Sequence, residues 1–108
     1  MSQLTAGLAA FESKDYIKAF ELLKPIAVQG DAQAQCIVGN IYHLGLGLDC
    51  DVLEAMEWYK KSAEQGYGLA ANNLAGMYLT GDPGIETSQV KAQEWYHKAR
   101  QGFPHTPR

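Results

Sequence analysis

The chain has 108 residues, of which 46% are hydrophobic and 19% are charged, and its formal net charge is −3. This length and composition fit a single globular domain with its own core. The acidic balance and the lack of any Lys/Arg run argue against a nucleic-acid binder. No apolar stretch is long enough to span a bilayer.

The cysteine content and the N-terminus favour a cytoplasmic protein. Two cysteines, Cys36 and Cys50, are too few for the disulfide framework of a small secreted domain. Residues 1–16 lack the charged region and the long apolar region of a secretory signal. We therefore expect reduced thiols and a cytoplasmic location, with a previously removed signal sequence as the open alternative.

Residues 1–30 predict the first pair of helices. The segment "SQLTAGLAAFES" is a plausible first helix, and Asp15-Tyr16 opens the second. Pro25 falls inside that second helix, where it removes a backbone donor and clashes with the preceding turn. We expect a kink or a shortened helix there.

Residues 31–66 predict a second pair. Over 32–44 the apolar residues follow the i, i+3, i+4, i+7, i+8 spacing of an amphipathic helix, and a similar stripe runs over 51–65. Gly45 and Gly47 supply the turn between the two helices. Asp51 is expected to cap the second helix, with Glu54 completing an arrangement like a capping box.

The third pair follows from an internal repeat. The dipeptide Gln29-Gly30 recurs at Gln65-Gly66 and Gln101-Gly102, each time 36 residues later. The same shift superposes the segments 37–45 and 73–81, and it becomes 37 after a one-residue insertion in the following turn. The glycine of each dipeptide is predicted to stop the second helix of its unit in the left-handed conformation. Units of about 1–30, 31–66 and 67–102, with a tail over 103–108, predict an α-solenoid.

The repeated units resemble the Sel-1-like repeat, a relative of the tetratricopeptide repeat. In the unit 31–66 the matching residues are Ala34, Val38-Gly39, Ile41-Tyr42, Gly45, Gly47, Ala55, Trp58-Tyr59, Ala63 and Gln65-Gly66. The unit 67–102 matches at the equivalent positions but has Ala75 where the family prefers Gly, and 1–30 looks more like a plain tetratricopeptide unit. The resemblance implies an all-α, right-handed α–α superhelix of about three helix-turn-helix repeats, with six helices. It also implies an adaptor role between proteins.

Candidate catalytic and metal sites find no support in the sequence. Cys36 and His43 are seven residues apart on one helix, about 10 Å, too far for two ligands of one zinc ion. The segment "GLGLDCD" has neither the phosphate-loop pattern nor calcium-loop spacing. The serines and cysteines lack the context of a catalytic nucleophile. We therefore expect no enzyme, no cofactor and no metal, and the repeated Trp58 and Trp95 indicate packing rather than a ligand cage.

The resemblance places the binding surface on the first helix of each pair, which lines the concave groove of such solenoids. The candidate partner-binding residues are Gln33, Cys36, Asn40, His43, Leu69, Asn72 and Leu79. This face carries no Lys or Arg, so we do not expect it to clamp a terminal carboxylate in the way some relatives do. An ordinary solvated face is the alternative interpretation.

The function that we predict is a non-enzymatic protein–protein interaction module or adaptor, of bacterial type, binding a partner peptide or helix through its concave face. An immunity partner that neutralises a toxin or effector is the alternative. We expect the partner to be another protein, with no nucleic acid and no membrane, and the chain to be a monomer or a weak homo-oligomer. The last helix pair is expected to leave an apolar flank near Trp95, Tyr96 and Ala99, partly covered by Phe103.

Overall fold

The computed structural model describes residues 2–101, and within them the chain forms six α-helices and no strand. The α1–α2, α3–α4 and α5–α6 pairs stack through α2 against α3 and α4 against α5. This confirms the predicted all-α repeat solenoid. None of the helices in the described range is long and apolar enough to cross a membrane. The helices are α1 (Gln3–Glu12), α2 (Tyr16–Val28), α3 (Ala32–Leu44), α4 (Val52–Glu64), α5 (Gly68–Thr80) and α6 (Gln89–Gln101).

The second helix of each pair begins at a side-chain cap. Asp15, Asp51 and Ser88 each accept a hydrogen bond from the backbone N–H three residues later. Such caps satisfy donors that have no partner within the helix. The predicted cap at Asp51 is confirmed, but the Glu54 carboxylate accepts from the indole N–H of Trp58 at 3.1 Å instead of closing a capping box.

The repeated Gln-Gly dipeptide has two roles. Gly30 and Gly66 have φ of 114° and 95°, as predicted for glycines that end helices, and Gly102 lies outside the described residues. The sequence did not indicate a role for the glutamine of the dipeptide, but the structure shows one for Gln65. Gln65 Nε2 donates to the Gly30 carbonyl at 2.8 Å and to Gln35 Oε1 at 2.9 Å. Gln65 therefore joins the end of the second unit to the end of the first.

The one-residue insertion is absorbed entirely within a loop. The backbone N–H of Asp51 donates to the Tyr42 carbonyl at 2.8 Å, and the N–H of Ser88 makes the equivalent bond to Tyr78 at 2.9 Å. Both loops are thus closed by the same hydrogen bond even though the second is one residue longer. The helices on either side keep their register.

Pro25 does not shorten its helix, so that alternative is wrong. Helix α2 has 13 residues, as many as α3, and continues through Pro25 to Val28. Pro25 lies in the last turn, where the missing N–H removes one bond from a helix that is already packed on both sides by α1 and α3.

In the first two helix pairs, a glycine on the first helix lies against a large side chain of the second helix. A Cβ on Gly39 would lie 2.7 Å from two ring carbons of Tyr59, and one on Gly7 would lie 2.4 Å from Leu23. Tyr59 and Leu23 are the fully buried residues at equivalent positions of α4 and α2. A large side chain of the second helix therefore occupies the space that a Cβ of the first helix would fill if the glycine were replaced.

The outer flank of α6 differs from the expected apolar surface. Trp95, Tyr96 and Ala99 are partly buried and pack against the core. Counted from the caps Ser88 and Asp51, Gln93 and Arg100 of α6 are equivalent to Met56 and Ala63 of α4. Gln93 and Arg100 are both exposed. Trp95, Tyr96 and Ala99 keep part of their surface exposed and Val90 is 67% exposed, so the described part of α6 presents polar and apolar residues together rather than the continuous apolar flank that we expected. Residues 103–108, including Phe103, lie outside the described range.

We predict that Gly66→Val lowers the free energy of unfolding by about 1–3 kcal/mol, because a β-branched residue resists the backbone region with φ of 95°. Urea denaturation measures the change. Gly76→Val is the matched control, since Gly76 lies within α5 and a Cβ there meets nothing within 4 Å. Equal stability of Gly66→Val and the parent would contradict the helix-stop role.

We also predict that the two tryptophans differ in their contribution to stability. Trp58 is 6% exposed, so Trp58→Ala should cost about 3–5 kcal/mol. Trp95 is only partly buried, so Trp95→Ala should cost clearly less. Thermal and urea unfolding compare the two variants, and an equal loss would show that α6 is packed as tightly as α4.

Candidate partner-binding site

A depression with a volume of about 410 Å³ lies between α3 and α5 on the face predicted to bind a partner. Three of the seven predicted residues line it: Asn40 and His43 on α3, and Asn72 on α5. Tyr59 from the middle of α4 and Asp82 from the loop after α5 complete the lining. The lining residues are Asn40, His43, Leu44, Tyr59, Asn72, Asn73, Gly76, Met77, Thr80 and Asp82.

The other exposed candidates lie beside the depression rather than in it. Gln33 and Leu69 are exposed in the first turns of α3 and α5, and Leu79 is exposed near the end of α5. Leu44, which the sequence did not single out, lines the depression and is 66% exposed. The groove therefore combines a polar floor with exposed leucine side chains.

Cys36 does not belong to the exposed groove, so this prediction was wrong. Its side chain is fully buried in the core between the second and third units. Asn73 Nδ2 lies 3.9 Å from Cys36 Sγ and covers it from the groove side. The same burial raises the pKa of the Cys36 thiol to about 12. Cys36 is buried because α5 packs over this part of α3.

A hydrogen-bond network fixes the carboxamide of Asn40. The Tyr59 hydroxyl donates to Asn40 Oδ1 at 2.7 Å, and Asn73 Nδ2 donates to the same oxygen at 3.3 Å. Burial raises the pKa of Tyr59 above its ordinary value, so the hydroxyl keeps the proton that it donates. Because both acceptor sites of Asn40 Oδ1 are occupied, its Nδ2 group is the part left for a ligand.

His43 links this network to the loop after α5. Its Nε2 lies 3.1 Å from Asp82 Oδ2, and its Nδ1 lies 3.3 Å from the Tyr59 hydroxyl. A carboxylate oxygen accepts, so Nε2 donates to Asp82. The Tyr59 hydroxyl gives its one proton to Asn40 and can only accept from Nδ1, so the complete network needs a proton on both ring nitrogens. Asp82 Oδ1 also accepts from the Thr80 hydroxyl at 3.2 Å. The imidazole is thereby held in one orientation at the end of the groove.

Sequence reasoning missed Tyr59, Asn73 and Asp82 as groove residues. Tyr59 is part of the predicted apolar stripe of α4, and only its hydroxyl reaches the groove. Asp82 lies in the inserted loop, for which the repeat gives no equivalent position. Asn73 could have been found, because a tandem Asn72-Asn73 places carboxamides about 100° apart around one helix.

Three stacked helix pairs, with a groove lined by the first helix of successive pairs, define a helical-repeat protein of the scaffold type. A model of the Sel1 repeat matches residues 6–31, 32–67 and 68–102, and the chain belongs to the Sel1 repeat family. This confirms the resemblance found in the sequence. Sel1 repeat proteins generally mediate protein–protein interaction, and their fold is typically a non-catalytic scaffold.

Two curated relatives share this repeat. The chain is 44% identical over 84 residues to chitin synthase regulatory factor 3 of Schizosaccharomyces pombe, covering 76% of this chain and 9% of that protein. It is 37% identical over 76 residues to an F-box protein of Arabidopsis thaliana, covering 69% of this chain and 21% of that protein. The chain thus spans a small part of the length of each relative. One relative is from a yeast and the other is from a plant. The bacterial origin that we expected from the sequence therefore does not follow from the repeat.

Two solved structures superpose on nearly the whole chain. A protective antigen of uropathogenic Escherichia coli with an SLR fold matches with a TM-score of 0.88 at 33% identity, covering 92% of this chain and 22% of that one. A Sel1 repeat protein from Oxalobacter formigenes matches with a TM-score of 0.85 at 35% identity, covering 91% of this chain and 40% of that one. Both support the solenoid architecture described above.

The raised pKa of Cys36 predicts a loss of stability in alkali. The folded state keeps the thiol proton up to about pH 12, whereas the unfolded thiol loses it from roughly pH 8.5 upward. The unfolded state then binds fewer protons, so the free energy of unfolding falls as pH rises through this window. Cys36→Ser should show a shallower fall than the parent in urea titrations at increasing pH.

Cys50→Ser is the matched control for that measurement, because it removes the exposed thiol. This variant should follow the pH slope of the parent. If Cys36→Ser and the parent lose stability at the same rate, the buried thiol does not contribute to the alkaline transition.

Proposed function

We propose that this chain is a non-enzymatic interaction module that binds a segment of another protein in the groove between α3 and α5. The observation that carries the proposal is the composition of that groove. Carboxamide groups with unused hydrogen-bonding capacity lie beside exposed leucines, on the face that the repeat leaves open. Exposed apolar groups next to convergent polar groups are typical of a binding surface.

The leucines support a macromolecular partner. Leu44, Leu69 and Leu79 are 66%, 55% and 47% exposed. They are carried by the two helices that form the groove, so a segment lying along it can cover more than one of them. Removing this apolar surface from water would supply part of the binding free energy, at about 25 cal/mol per Å².

The polar groups in the groove favour a binding role over catalysis. Tyr59 and His43 are committed to hydrogen bonds with Asn40 and Asp82. Among the described lining residues, neither cysteine is present, and the Thr80 hydroxyl lies within hydrogen-bond distance of Asp82 and of the Met77 carbonyl. These groups hold one another in place instead of forming a nucleophile and base aimed at a substrate.

The proposal also includes a cytoplasmic location, a protein partner and a monomer or weak homo-oligomer. Both thiols are free, which supports a cytoplasmic location. The described lining contains no Lys or Arg, which supports a protein partner rather than a nucleic acid. The polar residues on the flank of α6 support a monomer or a weak homo-oligomer. We rank neutralisation of a toxin or effector second, because no feature of the groove is specific to it.

Gly76→Phe tests the proposed groove. Gly76 lines the depression, and a Cβ there meets nothing within 4 Å, so a side chain projects into the groove without entering the core. We expect this variant to melt at or above the temperature of the parent, because glycine within a helix is unfavourable. We expect it to lose the partner that the parent retains in affinity capture from native lysate, analysed by mass spectrometry.

Gln93→Phe is the matched control, since it adds the same ring at an exposed position on α6. It should retain the partner. Capture of the same proteins by the parent and by Gly76→Phe would contradict binding in this groove.

A further inference from the structure

We propose that the second helices of the three pairs form a separate docking surface, which binds a basic, amphipathic segment of a partner protein. This surface, the second-helix face, is carried by α2, α4 and α6, whereas α3 and α5 carry the groove. An adaptor joins two proteins and therefore needs a surface besides its groove. The second-helix face consists of an apolar row, Ile17, Leu53 and Val90, and a carboxylate row, Glu21, Glu57 and Glu94.

An exposed apolar side chain recurs at the second residue of each of these helices. The three side chains, Ile17, Leu53 and Val90, are 62%, 55% and 67% exposed. A single exposed apolar residue is normal on a protein surface, but recurrence at one position in all three units makes a row. Helix propensity does not explain this row, because the β-branched Ile17 and Val90 are not favoured within helices.

The loop of the following unit supports the first two members of the apolar row. A Cβ on Gly47 would lie 3.2 Å from Ile17 Cγ1, and a Cβ on Gly84 would lie 3.5 Å from Leu53 Cδ2. Each side chain thus contacts a loop on one side and keeps more than half of its surface exposed. Side chains that are already held in place lose less conformational entropy when a ligand covers them.

A glutamate follows each apolar residue by four positions, so it lies on the same face of the helix one turn later. Glu21, Glu57 and Glu94 are exposed, and none of them pairs with a cation among residues 2–101. They lie beyond the first turn, where the helix dipole favours a carboxylate. The energetics of the individual helices therefore does not account for the carboxylate row.

The lysines that could neutralise this row lie over aromatic rings instead. A lysine three or four residues after a glutamate is close enough to pair with it on a helix. Each glutamate has such a lysine, whose ammonium group makes a cation–π contact. The distances from Nζ to the ring centroid are 5.2 Å for Lys24 over Phe20, 4.9 Å for Lys61 over Trp58 and 4.4 Å for Lys98 over Trp95.

The two rows together select the chemistry of the partner. Unpaired carboxylates repel nucleic acid and the anionic surface of a membrane, and they attract lysine and arginine. The apolar row requires apolar groups next to those cations. A second copy of this chain is a poorer match, because its Lys24, Lys61 and Lys98 are already held over rings. A basic segment with interspersed apolar residues satisfies both rows.

Selection of displayed linear peptides tests the inference. Peptides are selected on the parent chain and counter-selected on the triple variant Glu21→Gln/Glu57→Gln/Glu94→Gln, whose melting temperature should equal that of the parent because all three positions are exposed. We expect peptides rich in Lys or Arg and in apolar residues. Each single substitution should weaken the best peptide about twofold to fivefold, the effect of one exposed ion pair, and added salt should weaken it further.

A charge exchange identifies the contact directly. Glu57→Lys should lose the selected peptide and bind a version of it in which one lysine is replaced by glutamate, a recovery that a purely structural role of Glu57 does not give. Leu53→Ser should weaken the parent peptide as well. Glu12→Gln is the matched control, since it removes an exposed carboxylate at the end of α1, and it should bind the peptide like the parent.

Three results would overturn the inference. The first is a set of selected peptides without cationic residues, or with equal affinity for the parent and the triple variant. The second is a parent that sediments as a dimer while the triple variant is a monomer, because the occupant is then a second copy. The third is loss of the peptides by Gly76→Phe, which would place them in the groove. Unchanged binding by Gly76→Phe separates this surface from the groove function proposed above.

Discussion

The structure depends on the contact between Tyr59 and Gly39. The ring lies where a Cβ of residue 39 would be, so α3 and α4 can pack in this way only while residue 39 is glycine. Leu23 and Gly7 repeat this arrangement in the first pair. Interiors pack at the density of organic crystals, so the size of one side chain and the absence of the other set the distance between paired helices. The contact thus sets the spacing of the first two helix pairs, while the third has Ala75 at the position equivalent to Gly39.

The same tyrosine connects the core to the groove. Its ring is buried, while its hydroxyl emerges beside Asn40 and orients that carboxamide. His43 and Asp82 complete the arrangement from the far side of the hydroxyl. The polar floor of the groove is therefore positioned by Tyr59 from the packed core and, at the His43 end, by Asp82 from the loop after α5. A preorganised surface of this kind loses less conformational entropy when it binds a ligand.

The sequence predicts the helices, their stops and the family, because these follow from local periodicity and from residues with special backbone requirements. It predicts the groove less well. Cys36 and Asn40 lie on the same face of one helix, yet only the packing of α5 decides that the first is buried and the second is accessible. The role of Asp82 depends on a loop that the repeat does not share. Tyr59 was assigned to the core correctly, but a periodic pattern cannot show that its hydroxyl contacts Asn40 at the floor of the groove.

The most direct test of this account is the NMR spectrum of Tyr59→Phe, observed at the side-chain carboxamide groups of the asparagines. The variant keeps the ring against Gly39 and removes only the hydroxyl. We expect unchanged backbone signals along the helices, a loss of stability of about 1 kcal/mol, and shifted, broadened Asn40 and Asn73 side-chain signals. Asparagine signals identical to those of the parent would contradict the claim that core packing positions the groove.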